Sequence, residues 1–181
     1  GTLTSLGCRC GCGYLLMSTH PPKLLVWNMR GLNSSARRAT IYQAVVAARV
    51  DIVCLQETKM EVITAEVVRQ CLGNNFENFY YVPATGTRGG ILIAWDHLVV
   101  SVTNSHITQN TLTVLISQEG APFWWLTGVY GPQGDAEKVA FLQEIRDVRD
   151  LHVGPWAIVG DFNLLVNPED KNKATVNRRM M

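Results

Sequence analysis

Four apolar stretches of this chain stop at a polar side chain that can do chemistry. Asn28 follows Leu24-Leu25-Val26-Trp27. Gln56 and Glu57 follow Ile52-Val53-Cys54-Leu55. Tyr130 follows Trp124-Trp125-Leu126-Thr127-Gly128-Val129, and Asp161 and Asn163 close the run from Trp156 to Gly160. Strand ends of one sheet share an edge, where α/β proteins commonly place ligands. Asp161 and Asn163 are two apart, so an extended chain points both to one side. Glu57 and Asp161 can then meet at one hard cation. Mg²⁺ takes one or two carboxylates plus waters and phosphate oxygens. Carboxylate, amide and phenol around such an ion suit attack of water on a phosphodiester. The ion offsets oxyanion charge, amides orient the phosphate, and Asp161 aligns or deprotonates the water.

Each residue alone also has a plainer reading. Loop carboxylates such as Glu57 are mostly solvent-exposed. Tyr130 fits a half-buried packing residue with a satisfied hydroxyl. Asn28 before a glycine is an ordinary turn residue. His20, His97, His106 and His152 pair with no Ser or Cys nucleophile, so a catalytic triad has little support.

These residues need elements to hold them. Residues 1–22 show no periodicity, end in Pro21-Pro22 and read as an unstructured leader or linker. The domain is expected over 23–181. Leu24 to Asn28 is a strand. Ser34 or Ser35 caps a helix whose face is Ile41, Ala44, Val45 and Ala48. Asp51 to Thr58 holds a second, buried strand, and a helix with Ile63, Val67 and Cys71 at spacings of four follows. Short β-branched and aromatic runs over 80–83, 91–95, 98–103, 112–117 and 123–130, separated by turn signals, predict one antiparallel meander. A helix over 135–151 repeats Val139, Leu142, Ile145 and Val148 every three. Strand–helix–strand units flanking a block of strands indicate a mixed α/β layered domain.

Composition agrees with a core-forming chain: 47% of the 181 residues are hydrophobic and 17% charged, which excludes a low-complexity tail. No apolar run approaches the ~18–20 residues of a membrane span, so no membrane partner is expected. The net charge of +1 hides an uneven distribution. Residues 1–50 carry Arg9, Lys23, Arg30, Arg37, Arg38 and Arg49 and no acid, and the last eleven carry Lys171, Lys173, Arg178 and Arg179. The middle is acidic. Basic ends around an acidic centre fit a polyanion-binding rim around a metal site, and they fit solvated surface charge as well. Five cysteines, an odd number, do not make a disulfide framework. Cys8, Cys10 and Cys12 cluster, but only His20 stands near as a further zinc ligand. Cys54 and Cys71 read as small core residues.

The literal motifs go further. Trp27-Asn28-Met29-Arg30-Gly31-Leu32, Leu55-Gln56-Glu57-Thr58-Lys59, Gly128-Val129-Tyr130-Gly131-Pro132 and Gly160-Asp161-Phe162-Asn163 occur in that order. Together they resemble the endonuclease/exonuclease/phosphatase family. Within it the chain is similar to the apurinic-type endonuclease domain of LINE-type (non-LTR) retrotransposons, particularly those of plants. The stretch from Gly86 to Trp95 resembles the Gly-rich hairpin of those elements. The resemblance implies a four-layered α/β sandwich of the DNase I-like type and DNA phosphodiester cleavage with Mg²⁺, or Mn²⁺ in its place. It implies Glu57 as principal metal ligand and Asn28 supporting the metal and phosphate end. Tyr130 would contact the scissile phosphate, Asp161 would align the water, and Asn163 would bind phosphate or stabilise developing charge. Arg30 and Arg88 are the expected DNA contacts. Arg30 stands where repair-type relatives carry an acid, which argues against repair activity. A monomer, a nuclear location and a reverse transcriptase domain downstream are further implications.

The family's later Asp-bearing strand and terminal Ser-Asp-His segment have no counterpart here. After Asn163 the only acids are Glu169 and Asp170, and no His follows. The chain is therefore expected to be the N-terminal two thirds of the domain, with weak or no nicking on its own. The alternatives are a catalytically dead retroelement remnant with at most non-specific nucleic-acid binding, and a phosphatase of the same superfamily.

Overall fold

The computed structural model describes residues 20–86 and 89–164. The expected leader therefore lies, apart from its last three residues, outside the described part. So do Arg88, the clustered Cys8, Cys10 and Cys12, and the basic residues after 164.

The chain opens with β1 (Leu24–Asn28), α1 (Ser35–Ala48), β2 (Ile52–Gln56) and α2 (Ala65–Leu72). β3 (Asn78–Val82), β4 (Ile91–Trp95), β5 (Ser101–Ile107), β6 (Thr111–Ser117) and β7 (Trp124–Tyr130) follow. α3 (Asp135–Leu151) and β8 (Trp156–Asp161) complete it. Two four-stranded sheets result, in the orders β1-β2-β4-β3 and β5-β6-β7-β8. Each has a parallel pair at one edge. Leu24 lies opposite Ile52, and Trp125 opposite Trp156. The remaining pairs are antiparallel.

The period of two along each central strand sorts side chains into two cores. Val53 and Leu55 of β2, with Leu92 and Ala94 of β4, face Ile41 and Val45 of α1 and Val68, Cys71 and Leu72 of α2. The intervening Ile52, Cys54, Ile91 and Ile93 pack on Leu112, Val114, Ile116 and Leu126 of the second sheet. β2 and β4 are buried on both faces, which is why their sequences are unbroken apolar runs. Burial pushes the Cys54 thiol up to about 12 and that of Cys71 to about 11, so both stay protonated and serve as core residues. α3 flanks the second sheet on its outer side: His152, just past its end, packs at a tilt against Trp125 with ring centroids 4.1 Å apart. Helices, sheet, sheet and helix make the four-layered α/β sandwich that the motifs implied.

Local detail departs from the sequence reading in three places. The five strands of the expected meander divide between the two sheets. The Asp96-His97 turn carries the chain across: Asp96 N–H donates to Asp51 O at 2.8 Å, and the Asp96 carboxylate accepts from Leu98 N–H at 2.9 Å. Periodicity is local and does not say which sheet a strand joins. Ile63 precedes α2 instead of lying on it. Thr64 caps that helix by accepting from Val67 N–H at 3.3 Å, and the inward face becomes Val68, Cys71 and Leu72. In α3 the predicted bounds hold, but a spacing of three drifts around a 3.6-residue turn. Phe141 and Val148, seven apart, are the buried pair, while Val139 and Leu142 face solvent.

Candidate active site

Two parallel strand pairs aim their C-terminal ends at one place. In the first sheet Asn28 lies in register with Gln56, so Asn28 and Glu57 emerge side by side. In the second, Tyr130 lies in register with Asp161. Stacking the sheets brings all four ends together. The join is direct: Asn28 Nδ2 donates to Asp161 Oδ2 at 2.8 Å, linking residues 133 positions apart. β1 and β8 are the edge strands of their sheets, so this bond crosses between the sheets at one corner of the sandwich.

Glu57 sits just past β2 with φ 56, a left-handed conformation that turns the chain sharply away from the strand. Thr58 and Lys59 N–H then donate to Gly90 and Gly89 carbonyls at 3.4 and 2.7 Å. Gly89 is glycine because nothing larger fits. A Cβ there would lie 2.8 Å from Tyr130 Cε1 and 2.9 Å from Glu57 Cα. The Gly-rich segment thus packs against both residues. Glu57 is 16% exposed, and its Oε1 lies 3.1 Å from Lys59 Nζ.

Tyr130 is buried. Burial raises its phenol above the usual range, and the negative charges of Glu57 and Asp161 raise it further, against a hydrogen bond from Gln133 and the charge of Lys59. The phenol is therefore neutral at ordinary pH and keeps its proton to donate. Both carboxylates act on this one hydroxyl, from opposite sheets.

Asp161 uses its other oxygen locally: Oδ1 accepts from Asn163 N–H at 3.0 Å. Asn163 has φ 50, so the extended geometry that would align its side chain with Asp161 does not hold. A turn replaces it, and Asn163 Nδ2 donates to Gly131 O at 2.6 Å. Gly131 N–H returns a bond to Asp161 O at 2.8 Å. Asn28 Oδ1 accepts from Arg30 N–H at 3.3 Å. Arg30 itself is exposed, and its carbonyl accepts from Arg37.

Among the described residues no three His, Cys, Asp and Glu side chains gather as a metal cluster. The side chains at these strand ends that could ligate a cation offer oxygens alone: the Glu57 and Asp161 carboxylates and the Asn28 amide. That set suits a hard cation holding most of its own waters and fits neither zinc nor copper. A cleft of about 540 Å³ opens at Glu57, Lys59 and Tyr130. It adjoins another of about 660 Å³ that runs from Tyr130 past Asn110 to the start of α3. No histidine lines either cleft among the described residues.

Three participants carried no assigned role in the sequence reading. Gln133, three residues after Tyr130, bonds its hydroxyl. Lys59 pairs with Glu57, and its place inside the Gln-Glu-Thr-Lys motif was the available signal. Glu144 gave no signal, because its partners lie 34 and 36 residues away. Its carboxylate accepts from the Thr108 hydroxyl, and from Asn110 N–H and Nδ2 at 2.7 Å each. Asn110 O in turn accepts from Tyr130 N–H at 3.1 Å. Glu144→Ala strands these donors and is expected to cost about 2 kcal/mol. That is a fall in Tm of about 4–8 °C, read by circular dichroism.

The profile of the Endonuclease/Exonuclease/phosphatase family matches residues 25–180, and the chain belongs to that family, whose members hydrolyse phosphoester bonds. Solved structures share its fold. One is D. rerio TDP2 humanised by 14 mutations, with TM-score 0.61 and 19% identity over 79% of this chain and 66% of that one. Another is D. rerio TDP2 complexed with a single strand DNA product, with TM-score 0.60 and 21% identity over 78% and 60%. A third is ANGEL2, a 2′,3′-cyclic phosphatase, with TM-score 0.57 and 14% identity over 80% and 53%. The chain spans less than two thirds of each of these structures. No curated protein matches it by sequence.

Proposed function

We propose that this protein is a Mg²⁺-dependent phosphodiesterase acting on DNA, the strand-nicking endonuclease of a LINE-type element, with Mn²⁺ able to replace Mg²⁺. The observation that carries the reading is the joining of the two sheets' strand ends by Asn28 and Asp161, with the Tyr130 hydroxyl under the charge of both Glu57 and Asp161. Glu57 would hold the cation, with Asn28 beside it. Bound there, the cation supplies Lewis-acid polarisation of the phosphate and neutralises developing charge.

The remaining work falls to side chains. Tyr130, neutral, donates a hydrogen bond from its hydroxyl to a phosphate oxygen and keeps its proton. Asp161, fixed through Oδ2 by Asn28, is an acceptor held in place, suited to align a water for in-line attack and take its proton. Asn163 spends one amide hydrogen on Gly131 O and has a second for a phosphate oxygen. Arg30 and Arg88 would bind DNA phosphates away from the scissile bond. A monomer working in the nucleus beside a reverse transcriptase belongs to the same reading, as does a domain running over 23–181.

Supercoiled plasmid tests it. Nicking is expected with Mg²⁺, loss with EDTA, and recovery on adding Mn²⁺. The same assay gives the rate of cleavage. Hydrolysis of lipid or sugar phosphates without nicking would mean a phosphatase. Salt-sensitive DNA binding that Glu57→Ala leaves unchanged, with no cleavage, would mean a non-catalytic binder.

A further inference from the structure

Lys59 faces Glu57, the carboxylate that would be the principal ligand of the proposed cation. Residues 57 and 59 both take positive φ, 56 and 54, and this curl brings their side-chain ends to 3.1 Å. The backbone of the curl is fixed from two sides. Lys59 N–H donates to Gly89 O at 2.7 Å, Asn33 Nδ2 donates to Lys59 O at 3.2 Å, and Leu32 N–H donates to Thr58 O at 2.8 Å. The side chain reaches toward solvent: it is 53% exposed, against 16% for Glu57. Among the described residues, Lys59 is the sole cationic side chain lining this cleft. A largely buried carboxylate thus has a half-exposed ammonium on a hydrogen-bonded loop as its partner.

We propose that Lys59 is an exchangeable counter-ion: it neutralises Glu57 while the site is free of metal, yields to the divalent cation, and then turns its charge to the DNA phosphate. The inference rests on the metal reading above. An ammonium and a divalent ion on one carboxylate repel each other, so the two compete for Glu57 and the ion's larger charge favours its displacing the lysine. Once released, it sits on a four-carbon stem at the mouth of the cleft, within reach of an incoming polyanion. Lys59 would then set the order of events. Metal loading frees a phosphate-binding charge, so cation and DNA binding reinforce each other.

Two titrations test this without turnover. Mn²⁺ binding is followed by the EPR signal of the free ion for the wild-type chain and for Lys59→Gln, Lys59→Met, Lys59→Arg and Glu57→Gln. Removing the competing charge is expected to tighten Mn²⁺ about three- to fivefold, in line with a half-exposed ion pair. Lys59→Arg is expected to stay within about twofold of wild type, since the charge is kept. Binding of a phosphorothioate oligonucleotide is then measured with Mn²⁺ and with EDTA. Lys59→Gln is expected to weaken it only when Mn²⁺ is present. Unchanged or weaker Mn²⁺ affinity in both neutral variants would overturn the exchange, as would an equal loss of DNA binding with and without metal. If wild type binds no Mn²⁺, or Glu57→Gln does not reduce binding, the metal reading itself fails. Thermal melts of each variant identify any that is unfolded, and two neutral substitutions guard against one such loss.

Discussion

Glu57→Gln is expected to lower Mg²⁺-dependent phosphodiester cleavage by about a thousandfold or more while leaving the fold intact. The substitution preserves size and one hydrogen-bonding oxygen but removes the charge. Glu57 is the carboxylate at the cleft mouth, and its counterpart Asp161 is held by Asn28 and by Asn163 N–H. Of the two described carboxylates that line this cleft, Glu57 and Glu61, only Glu57 also acts on Tyr130. A cation that polarises the phosphate contributes several kcal/mol to the transition state. A thousandfold loss corresponds to about 4 kcal/mol. Stability should scarcely change, because the ion pair that breaks is with a half-exposed lysine and such pairs contribute about 1 kcal/mol or less. The two readouts therefore separate. Single-turnover cleavage of a labelled duplex should collapse, and the thermal midpoint should stay within about 3 °C of wild type. Retention of more than a tenth of the rate would remove Glu57 from the metal site.

Much of this arrangement is legible in the sequence, for a physical reason. A strand packed against the core is largely apolar, so a polar residue that ends it stands out. Asn28, Glu57, Tyr130 and Asp161 were each marked in that way, and the bounds of α3 and β1 were readable from composition and punctuation alone. Which strands share a sheet was not readable. The break between β4 and β5 looks like any hairpin turn, yet Asp96 binds Asp51 and passes the chain to the other sheet. Turn residues encode a local reversal, and long-range pairing decides where the next strand lands. The conformation of Asn163 was also hidden. Period-two reasoning presumes an extended chain, and here a side-chain bond to Gly131 supports a left-handed residue. Lys59 and Glu144 show the two limits of motif reading. The first was visible as a letter without a role. The second acts through partners far along the chain, which periodicity cannot reach.

Gly131→Ala is expected to disable the site from behind. Gly131 follows Tyr130, and its φ is not in the left-handed region, so backbone freedom is not what requires glycine here. Space is. A Cβ would lie 2.1 Å from the Phe162 carbonyl oxygen, 2.7 Å from its carbon, and 2.8 Å from Phe141 Cε1. A ring can tilt aside, but a carbonyl in the backbone moves only with its neighbours. Those neighbours are Asp161 and Asn163, which Gly131 holds through its own N–H and O at 2.8 and 2.6 Å. Relieving the clash therefore pushes away the residues that Gly131 positions. Overpacking of this kind costs about 1–3 kcal/mol, a fall in Tm of about 2–12 °C. The rate suffers more. Displacing an acceptor by about 1 Å from the line of attack costs about a hundredfold. Mn²⁺ affinity should suffer far less than the rate, since Glu57, the principal ligand, sits on the other sheet, in a loop held by Gly89 and Gly90. This combination distinguishes a displaced Asp161 from a damaged metal site. Adding Phe141→Leu removes the ring contact but leaves the carbonyl, so the double variant should recover little activity. Full recovery would show that Phe141, and not the turn after β8, is what demands glycine at 131. A single variant with wild-type rate and melting temperature would show that the two loops are not in contact as described.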